Sequence, residues 1–394
     1  MTTRPLDGIR VLDFTSVVSG PVCTQVLAAL GADVIKIEPL AGDPLRSTRT
    51  PRVDTLSGLY MQVNRGKRSV ALDLRDPEVL AACLKLAVGA DVIVENFRPG
   101  VMERLGLGYD SVRAARSDII YASINGFGED GPWAGMRAYD SMIQALGGFM
   151  YKQGENGVPR LIQCAVADKI TGRAAAEGVL AALFARERGQ GGRRITVAML
   201  DAYVNFMMQD TMASHSFLDH EAPSAQIDAH ISFQTSDGWI SFLFLGIGEY
   251  HAFFDACGRP ELAADPRFAT RDDLLANFAA WREETAALLA AFTTDAIMAQ
   301  CRRLQLPVAP VLTFDEMVAF EQVEHNRTFS EVDMGGDVGR LRLLNPPWRL
   351  SHGSPDLEAT PARLGEHTAE VLRDAGLDDH AIAAMIQRRA IAAH

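Results

Sequence analysis

The sequence predicts an α/β fold with a mainly parallel central sheet. Short apolar runs alternate with helical patterns from residue 9 to about residue 214, and the texture of the chain changes after residue 218. Strands that alternate with helices indicate βαβ units, whose strands run parallel. The predicted strands of this sheet cover residues 9–15, 33–38, 69–74, 91–96, 118–125 and 194–198.

The helices between these strands are predicted from their start and stop signals. Pro21 opens a helix over 21–30, where its missing N–H costs nothing at the first position. Asp76 is the expected N-cap of a helix over 77–88. After Gly172, an Ala- and Leu-rich helix covers 173–188, and a further helix runs from Leu200 to about 214.

The chain is long enough for two domains. Residues 1–218 carry the α/β pattern, and the polar stretch 219–228 is typical of a linker. Residues 219–327 hold this linker, a strand pair around the turn 236–238 and Ala/Leu-rich helical segments, which predict a smaller α+β domain. Residues 328–394 add a strand over 339–344 and a helix from about Thr368.

Composition and charge exclude several classes of function. A net charge of −12 opposes binding to nucleic acids and anionic membranes, and no apolar run reaches the length of a membrane span. The five cysteines are scattered, the nine histidines form no metal-binding pattern, and the N-terminus lacks a signal-peptide core. We therefore expect a cytoplasmic protein with reduced thiols, no metal, and neither nucleic acid nor membrane as partner.

One region departs from the acidic average. Residues 36–104 contain 11 basic and 9 acidic residues, a local balance of +2. This local excess fits a site for a phosphate-bearing ligand, although ordinary surface variation explains it equally simply. Ligands of parallel sheets bind at the carboxyl ends of the strands. Those ends carry residues 15–19, 96–98 and 125–128.

A G-x-G-x-x-G stretch at residues 126–131 follows a predicted strand directly. In a dinucleotide site a helix must start at once, so that its N–H groups meet the pyrophosphate. Here Pro-Trp-Ala-Gly follows, which is typical of a loop. The stretch therefore predicts a glycine-rich loop that packs or closes over a ligand.

Asp168 is the candidate catalytic residue that the local pattern offers. It ends the apolar run 164–167 and precedes a long helix. A helix N-terminus favours the ionised carboxylate by about 0.3–1 kcal/mol, and ionisation is what a carboxylate nucleophile needs. From these residues alone, a plain N-cap is the favoured interpretation of Asp168, and a nucleophile is the alternative.

Many stretches, in a fixed order, match a known family. The chain resembles the family III CoA-transferases, whose members include formyl-CoA transferases and carnitine CoA-transferases. The resemblance covers most of residues 5–210 and returns near 364–372. Its clearest stretches are PLDGIRVLDFTSVVSGPVCTQVLAALGADVIKIE, NRGKRSVALDL, ADVIVENFRPGVMERLGL, IYASINGFGEDGP, TGRAAAEGVLAALFARERGQGGRRITVAMLDA and LGEHTAEVL.

The resemblance implies a fold and an assembly. It implies a Rossmann-like large domain built from both chain ends, with a smaller α+β domain inserted between them. It also implies an interlocked homodimer, in which each subunit threads the other. The implied substrates are an acyl-CoA, which carries coenzyme A, and a small carboxylic acid, with no permanently bound cofactor.

The resemblance also implies chemistry and site residues. Asp168 matches the aspartate nucleophile of the family, which forms an aspartyl anhydride and then an aspartyl-CoA thioester. Positions matching the CoA-binding residues include arginines suited to phosphates. These positions are Ser19, Leu72, Arg75, Asn96, Phe97, Arg104, Arg137 and Tyr139.

The chain departs from formyl-CoA transferases at three places. Pro39 stands where some members carry a basic residue, and Val18 stands where formyl-CoA transferases carry a glutamine. Their glycine-rich loop has no counterpart in residues 223–227. Oxalate and formate are therefore not the expected substrates. Arginines after the second strand, which suggest a dicarboxylic acid instead, are Arg46, Arg49 and Arg52.

Two alternatives to a transferase share the resemblance. An α-methylacyl-CoA racemase removes the proton next to the thioester with a His/Asp pair. Tyr139 stands here in place of that histidine, before Asp140, and does not readily act as the base. The second alternative is a non-catalytic acyl-CoA-binding homologue, and the intact Asp168 counts against it.

Overall fold

A computed structural model describes residues 4–48, 52–219 and 231–393. The strands are β1 (Arg10–Phe14), β2 (Asp33–Glu38), β3 (Arg52–Val53), β4 (Leu56–Ser57), β5 (Arg68–Leu72), β6 (Val92–Glu95), β7 (Ile120–Asn125), β8 (Arg193–Ala198), β9 (Ile231–Gln234), β10 (Trp239–Phe242), β11 (Val308–Pro310), β12 (Phe329–Asp333), β13 (Arg340–Leu344) and β14 (Ile391–Ala392).

The α-helices follow in chain order. They are α1 (Ser19–Ala29), α2 (Gly58–Asn64), α3 (Pro77–Gly89), α4 (Val101–Arg104), α5 (Tyr109–Ala115), α6 (Asp140–Leu146), α7 (Phe149–Lys152), α8 (Val166–Ala185), α9 (Met199–Met207), α10 (Ile247–Ala256), α11 (Arg271–Ala276), α12 (Phe278–Leu289), α13 (Thr294–Arg303), α14 (Phe314–Val318), α15 (Glu321–His325), α16 (Thr368–Asp374) and α17 (Asp379–Gln387). No helix among the described residues is long and apolar enough to cross a bilayer.

Two compact units make up the described chain. One comprises the chain up to Ala213 together with the chain from Arg327 onward, and the other comprises Ser214–Asn326. Of the stretch 219–228 expected as a linker, residues 220–228 lie outside the described residues.

The first unit contains a seven-stranded sheet in the order β14-β5-β2-β1-β6-β7-β8. Every neighbouring pair runs parallel except β14 and β5, which confirms the predicted mainly parallel sheet. The order reverses at β1, because β2 and β5 follow it on one side and β6 and β7 on the other. At such a reversal the connections leave in opposite directions and open a crevice, where ligands of α/β sheets bind.

Helices cover both faces of this sheet, as the apolar strands require. On β1, Leu12 and Phe14 belong to a core formed with α3, α16 and α17. Val11, on the opposite face, belongs to a core formed with α1 and α8. Alternate residues of one strand thus anchor the two helical layers.

The long helix α8 starts earlier than predicted. It begins at Val166, so Asp168 lies in its first turn instead of before it. The apolar run and Gly172 suggested a boundary, but Gly172 lies inside the helix for a packing reason. A Cβ atom at Gly172 would lie 2.4 Å from the Ser19 carbonyl oxygen of α1. The glycine therefore permits close approach of two helices and does not end one.

Three further elements differ from expectation. The helix predicted from Leu200 to about 214 ends at Met207. The C-terminal helix is two helices, α16 and α17, separated around Gly376, whose φ of 85° breaks the helical backbone. Strand β14 follows them and was not predicted. As expected, no helix starts at the glycine-rich stretch 126–131; the next one begins at Asp140.

The second unit has its own sheet and core. Its three-stranded sheet has the order β11-β10-β9, and both pairs are antiparallel. Phe233 and Phe242 stack with ring centroids 5.2 Å apart, and Trp281 meets Phe233 edge-on at 5.8 Å. An aromatic core with helices on a small antiparallel sheet is an α+β arrangement.

The close approach at Gly192, just before β8, supplies a test of the fold. A Cβ atom there would lie 2.2 Å from the Ile119 carbonyl oxygen and 2.4 Å from the Asp118 carbonyl carbon. Because both are backbone atoms, we expect Gly192→Ala to lower the free energy of unfolding by about 1–3 kcal/mol. Urea unfolding followed by circular dichroism measures this change.

Gly89→Ala is the matched control. No heavy atom lies within 4 Å of a Cβ atom at Gly89, at the end of α3. We expect this variant to be neutral or more stable by up to about 1 kcal/mol. Equal unfolding midpoints for the two variants would contradict the close approach at Gly192.

Candidate active site

The carboxyl ends of β1 and β6 meet where the strand order reverses. Asn96, directly after β6, accepts a hydrogen bond from the Ser16 N–H at 2.9 Å and donates to the Ser16 carbonyl at 2.8 Å. Its Nδ2 atom also lies 3.5 Å from the Ser19 hydroxyl oxygen. Asn96 therefore joins the two strand ends across the crevice.

Asp168 reaches the same place from α8. The Ser19 hydroxyl and backbone N–H lie close enough to the Asp168 carboxylate to favour its ionised form. The close packing at Gly172 brings the start of α1 against α8. Of the residues expected from the sequence, the structure thus brings together Ser19, Asn96 and Asp168.

Asp140 caps the helix that carries Asp168. Its Oδ2 atom accepts from the Ala167 N–H at 2.7 Å and from the Asp168 N–H at 3.2 Å, while Gln144 donates to its Oδ1 atom at 2.5 Å. The reading of Asp168 as a plain N-cap is therefore wrong, because Asp140 performs that task. The Asp168 side chain faces Ser19 instead.

The surroundings of Asp168 change its acidity. Burial, followed by the nearby negative charge of Asp140, raises its pKa to about 6, and the hydrogen bonds from Ser19 limit the rise. The group is thus largely ionised at neutral pH but more basic than an ordinary aspartate. A half-buried, ionised carboxylate with raised basicity is suited to attack a carbonyl carbon.

A buried ionic network lies beneath the crevice, on β1. Asp13 is fully buried and accepts from Lys67 Nζ at 3.0 Å, the Thr24 hydroxyl at 2.6 Å and the Thr15 N–H at 2.9 Å. Although burial opposes ionisation, Lys67 and Lys36 hold the pKa of Asp13 below its usual value. The sequence offered no sign of this network, because Asp13 and Lys36 lie in strands that otherwise look apolar and Lys67 lies just before another strand.

Arg46 belongs to a second buried pair and is not a spare arginine. Its guanidinium donates to both oxygens of Glu38 at 2.7 Å and lies 3.8 Å from the centre of the Tyr60 ring. Only 3% of Arg46 is exposed, so the expectation that it binds a substrate carboxylate is wrong. Arg49 lies outside the described residues, as does the side chain of Arg52.

The other expected CoA-binding positions differ in environment. Leu72 is 2% exposed and belongs to the core, and Arg75 is exposed and paired with Asp73 at 2.8 Å. Phe97 is 37% exposed and donates its N–H to Glu95 at 2.8 Å. Exposed side chains are also found at Arg104, Arg137 and Tyr139.

Glu95 is a second carboxyl group that sequence analysis missed. Burial raises its pKa to about 7, and the hydrogen bonds from Ser123 and the Phe97 N–H oppose the rise. It lines a small polar crevice with Arg98 and Arg194. Among the described residues, no group of three or more His, Cys, Asp or Glu side chains could hold a metal ion.

Comparison with known proteins identifies the family. The profile described as "CoA-transferase family III" matches residues 6–368 of this chain. The chain belongs to CoA-transferase family III. This confirms the resemblance seen in the sequence and shows that the protein is a CoA-transferase, an enzyme that acts on acyl-CoA and carboxylate substrates.

Curated relatives of this family III CoA-transferase align over nearly its whole length. Succinyl-CoA:mesaconate CoA-transferase of Haloarcula marismortui is 34% identical, covering 95% of this chain and 97% of that protein. Succinyl-CoA:glutarate CoA-transferase of Mus musculus is 32% identical, covering 94% and 86%. Formyl-CoA:oxalate CoA-transferase of Escherichia coli O6:H1 is 32% identical, covering 99% and 100%.

Solved structures support the same family. A CAIB/BAIF family protein from Brucella suis superposes with a TM-score of 0.83 at 30% identity, covering 95% of the CoA-transferase and 100% of that chain. Rv3272 from Mycobacterium tuberculosis gives a TM-score of 0.83 at 31% identity, covering 94% and 99%.

The raised pKa of Asp168 predicts a pH-dependent cost to stability. Because the pKa of about 6 in the folded protein exceeds the usual aspartate value of 3.8, the folded state holds the proton more tightly, and stability falls as pH rises through this window. Asp168→Asn cannot ionise. We expect it to be more stable than the wild type at pH 8, by on the order of 1–3 kcal/mol, and to lose this advantage near pH 4.

Differential scanning calorimetry at the two pH values measures the difference. Asp201→Asn, an exposed acid in the first turn of α9, is the control for removing a carboxylate from a helix start. A stabilisation of Asp168→Asn that is the same at pH 8 and pH 4 would contradict the assigned burial of the charge.

Proposed function

We propose that this CoA-transferase moves CoA from succinyl-CoA to a second small dicarboxylic acid through covalent catalysis at Asp168. The observation that carries the proposal is the ionised, half-buried Asp168 carboxylate, which Ser19 holds at the crevice where the strand order reverses. A carboxylate in this setting is nucleophilic and lies where the sheet offers space for a ligand.

The reaction begins when the Asp168 carboxylate attacks the carbonyl carbon of the donor thioester. The C–S bond breaks, CoA leaves as thiolate, and an aspartyl–acyl anhydride forms. The thiolate then attacks the aspartyl carbonyl carbon, so that the donor acid leaves and an aspartyl-CoA thioester remains. The acceptor carboxylate attacks that carbonyl and expels the CoA thiolate, which leaves an anhydride between Asp168 and the acceptor. The thiolate then attacks the acyl carbon of the acceptor, and acceptor acyl-CoA and free Asp168 are released. Each step conserves an activated acyl bond.

The residues around Asp168 have separate tasks in this scheme. The Ser19 hydroxyl and N–H stabilise the ionised carboxylate, so that Asp168 is reactive at neutral pH although burial and Asp140 oppose its charge. Burial limits the access of water, which would hydrolyse the anhydride or the thioester. Except for Leu72, whose side chain belongs to the core, we place CoA along the remaining expected positions, namely Arg75, Asn96, Phe97, Arg104, Arg137 and Tyr139.

The relatives guide the choice of acids. Two of them are named for succinyl-CoA with mesaconate or glutarate, and one for formyl-CoA with oxalate. Val18 stands where formyl-CoA transferases carry a glutamine, and Val18 is 3% exposed, so it offers no polar group at the crevice. We therefore favour dicarboxylic acids of four or five carbons over formate and oxalate.

We also propose an interlocked homodimer, in which the unit built from both chain ends encloses part of a second copy. A cavity of about 860 Å³ lies along α1 and α2 and is lined mainly by apolar groups. Large apolar side chains, including Tyr151 at 73% and Phe184 at 64% exposure, remain on the surface of the unit. Such surface is typical of a protein interface.

All five cysteines are free, which suits the cytoplasm.

The proposed function is tested by a screen of donors and acceptors. The purified protein is incubated with succinyl-CoA and a panel of carboxylic acids, and new acyl-CoA thioesters are detected by mass spectrometry. We expect products from dicarboxylic acids of four or five carbons, in excess over formate and oxalate. Transfer only to monocarboxylic acids would contradict the assigned substrate class.

Asp168→Ala tests the chemistry in the same assay. We expect transfer to fall by at least about 10⁴-fold, because the covalent route is lost, while CoA still binds in isothermal titration calorimetry. Asp201→Ala, which removes an exposed acid from the first turn of α9, is the matched control and should retain transfer. Normal turnover by Asp168→Ala would refute the nucleophile.

The interlocked assembly predicts a dimer that does not dissociate on dilution. Subunits that thread each other separate only when one of them opens, in contrast to a pair held by a modest surface patch. We expect a dimer at nanomolar concentration in analytical ultracentrifugation, and loss of dimer and fold together on denaturation. A folded monomer that reassociates reversibly would show that the subunits are not interlocked.

A further inference from the structure

Val17 adopts a backbone conformation that β-branched residues avoid. Its φ angle is 66°, in the left-handed region. There the branched side chain crowds the backbone, so the conformation is strained. Such a conformation persists only where surrounding residues hold it. The contacts of this loop therefore identify the side chains that keep Val17 in the left-handed region.

Side chains from three strands or strand ends bind the backbone just before this residue. Asp13 of β1 accepts from the Thr15 N–H at 2.9 Å, and Lys36 of β2 donates to the Thr15 carbonyl at 2.7 Å. Asn96, after β6, accepts from the Ser16 N–H and donates to the Ser16 carbonyl. Four consecutive backbone polar groups are thus fixed by side chains.

Asp43 supplies the next contact, at the strained residue itself. Its two carboxylate oxygens accept from the Val17 N–H at 3.3 and 3.2 Å. Asp43 is 2% exposed and pairs with Lys36 at 3.1 Å, and its own N–H donates to Glu38 at 3.1 Å. The Asp43 carboxylate also accepts from the Leu45 N–H at 2.8 Å, so that Lys36 and Leu45 leave it little freedom to move.

The strained residue is close in sequence to the reactive centre. Only Val18 separates Val17 from Ser19, whose hydroxyl and N–H face Asp168 and favour its ionised form. The close approach at Gly172 leaves the backbone of Ser19 little space to adjust. The conformation of Val17 therefore decides where Ser19 meets Asp168.

We infer that Asp43 is a positioning residue for the transfer reaction, because its buried carboxylate holds Val17 in the left-handed conformation and thereby fixes Ser19 against Asp168. The inference rests on the proposed function, which makes Asp168 the reactive carboxylate. Since Asp43 is almost fully buried, it acts through the backbone and not by touching substrate.

A purely structural role for Asp43 makes a different prediction. If Asp43 served only to neutralise Lys36, its replacement would lower activity by the same factor whatever residue stands at position 17. If Asp43 holds a strained residue, the loss must shrink once position 17 no longer resists the left-handed conformation. Glycine adopts that conformation without a steric cost.

A double-mutant cycle of Asp43→Asn and Val17→Gly separates the two roles. We expect Asp43→Asn alone to lower kcat for transfer by at least about tenfold, and by less than about threefold when Val17→Gly is already present. The Kd for CoA should change by less than about threefold throughout, because Ser19 alone among the expected CoA-binding positions is displaced. Equal losses in the two backgrounds would overturn the inference.

The acidic limb of the pH profile of kcat/KM provides a second reading. In Asp43→Asn, Ser19 no longer stabilises the ionised Asp168 carboxylate, so the pKa of Asp168 rises and the acidic limb should move to higher pH. In the double variant with Val17→Gly, the limb should return toward its wild-type position. Asp378→Asn, which alters the exposed N-cap of α17, is the control for an Asp-to-Asn change and should leave the limb in place.

Two safeguards keep the outcomes separate. Where Asp43→Asn does not fold, Asp43→Glu retains the charge opposite Lys36 while displacing the acceptor, and the same cycle with Val17→Gly is measured. Transfer that survives Asp168→Ala would refute the proposed function. If Asp168→Ala is inactive but Asp43→Asn loses the same factor of activity with and without Val17→Gly, only the role of Asp43 is refuted.

Discussion

Asp13 places a negative charge on the central strand of the sheet with none of its surface exposed. A buried charge without partners costs several kcal/mol, and so the surrounding residues must satisfy it. Lys67 pairs with it, and Thr15 and Thr24 donate to it. The loop that enters the crevice is therefore anchored by an ionic contact in addition to the apolar packing of Val17 and Val18.

The sheet was predictable from the sequence because its strands carry unambiguous apolar runs. The strands 33–38 and 92–95 are found almost where those runs lie. Strand β14 was not predictable, since two residues that pair only with distant β5 leave no local pattern. The start of α8 was misplaced because Gly172 is typical of a helix end, whereas its reason is the contact with Ser19.

The site was predictable in part. Asp168 stood out by its place at a helix start, and the family resemblance carried Ser19 and Asn96 with it. The network that supports them could not be found, because Asp13 and Lys67 are 54 positions apart and each looks like an ordinary surface charge in the sequence. Arg46 shows the reverse error, since an arginine in a polar loop gave no sign of its burial.

Asp140 performs two tasks with one carboxylate. It accepts the first N–H groups of α8, and its charge also raises the pKa of Asp168. The order of the first helical turn and the basicity of Asp168 are therefore coupled, and neither can be adjusted alone during evolution or redesign. If that turn frays on warming, Asp168 moves into water and away from Asp140, and its acidity returns toward that of a free aspartate. The titration of this single carboxyl group would thus report local melting of the helix before the protein unfolds.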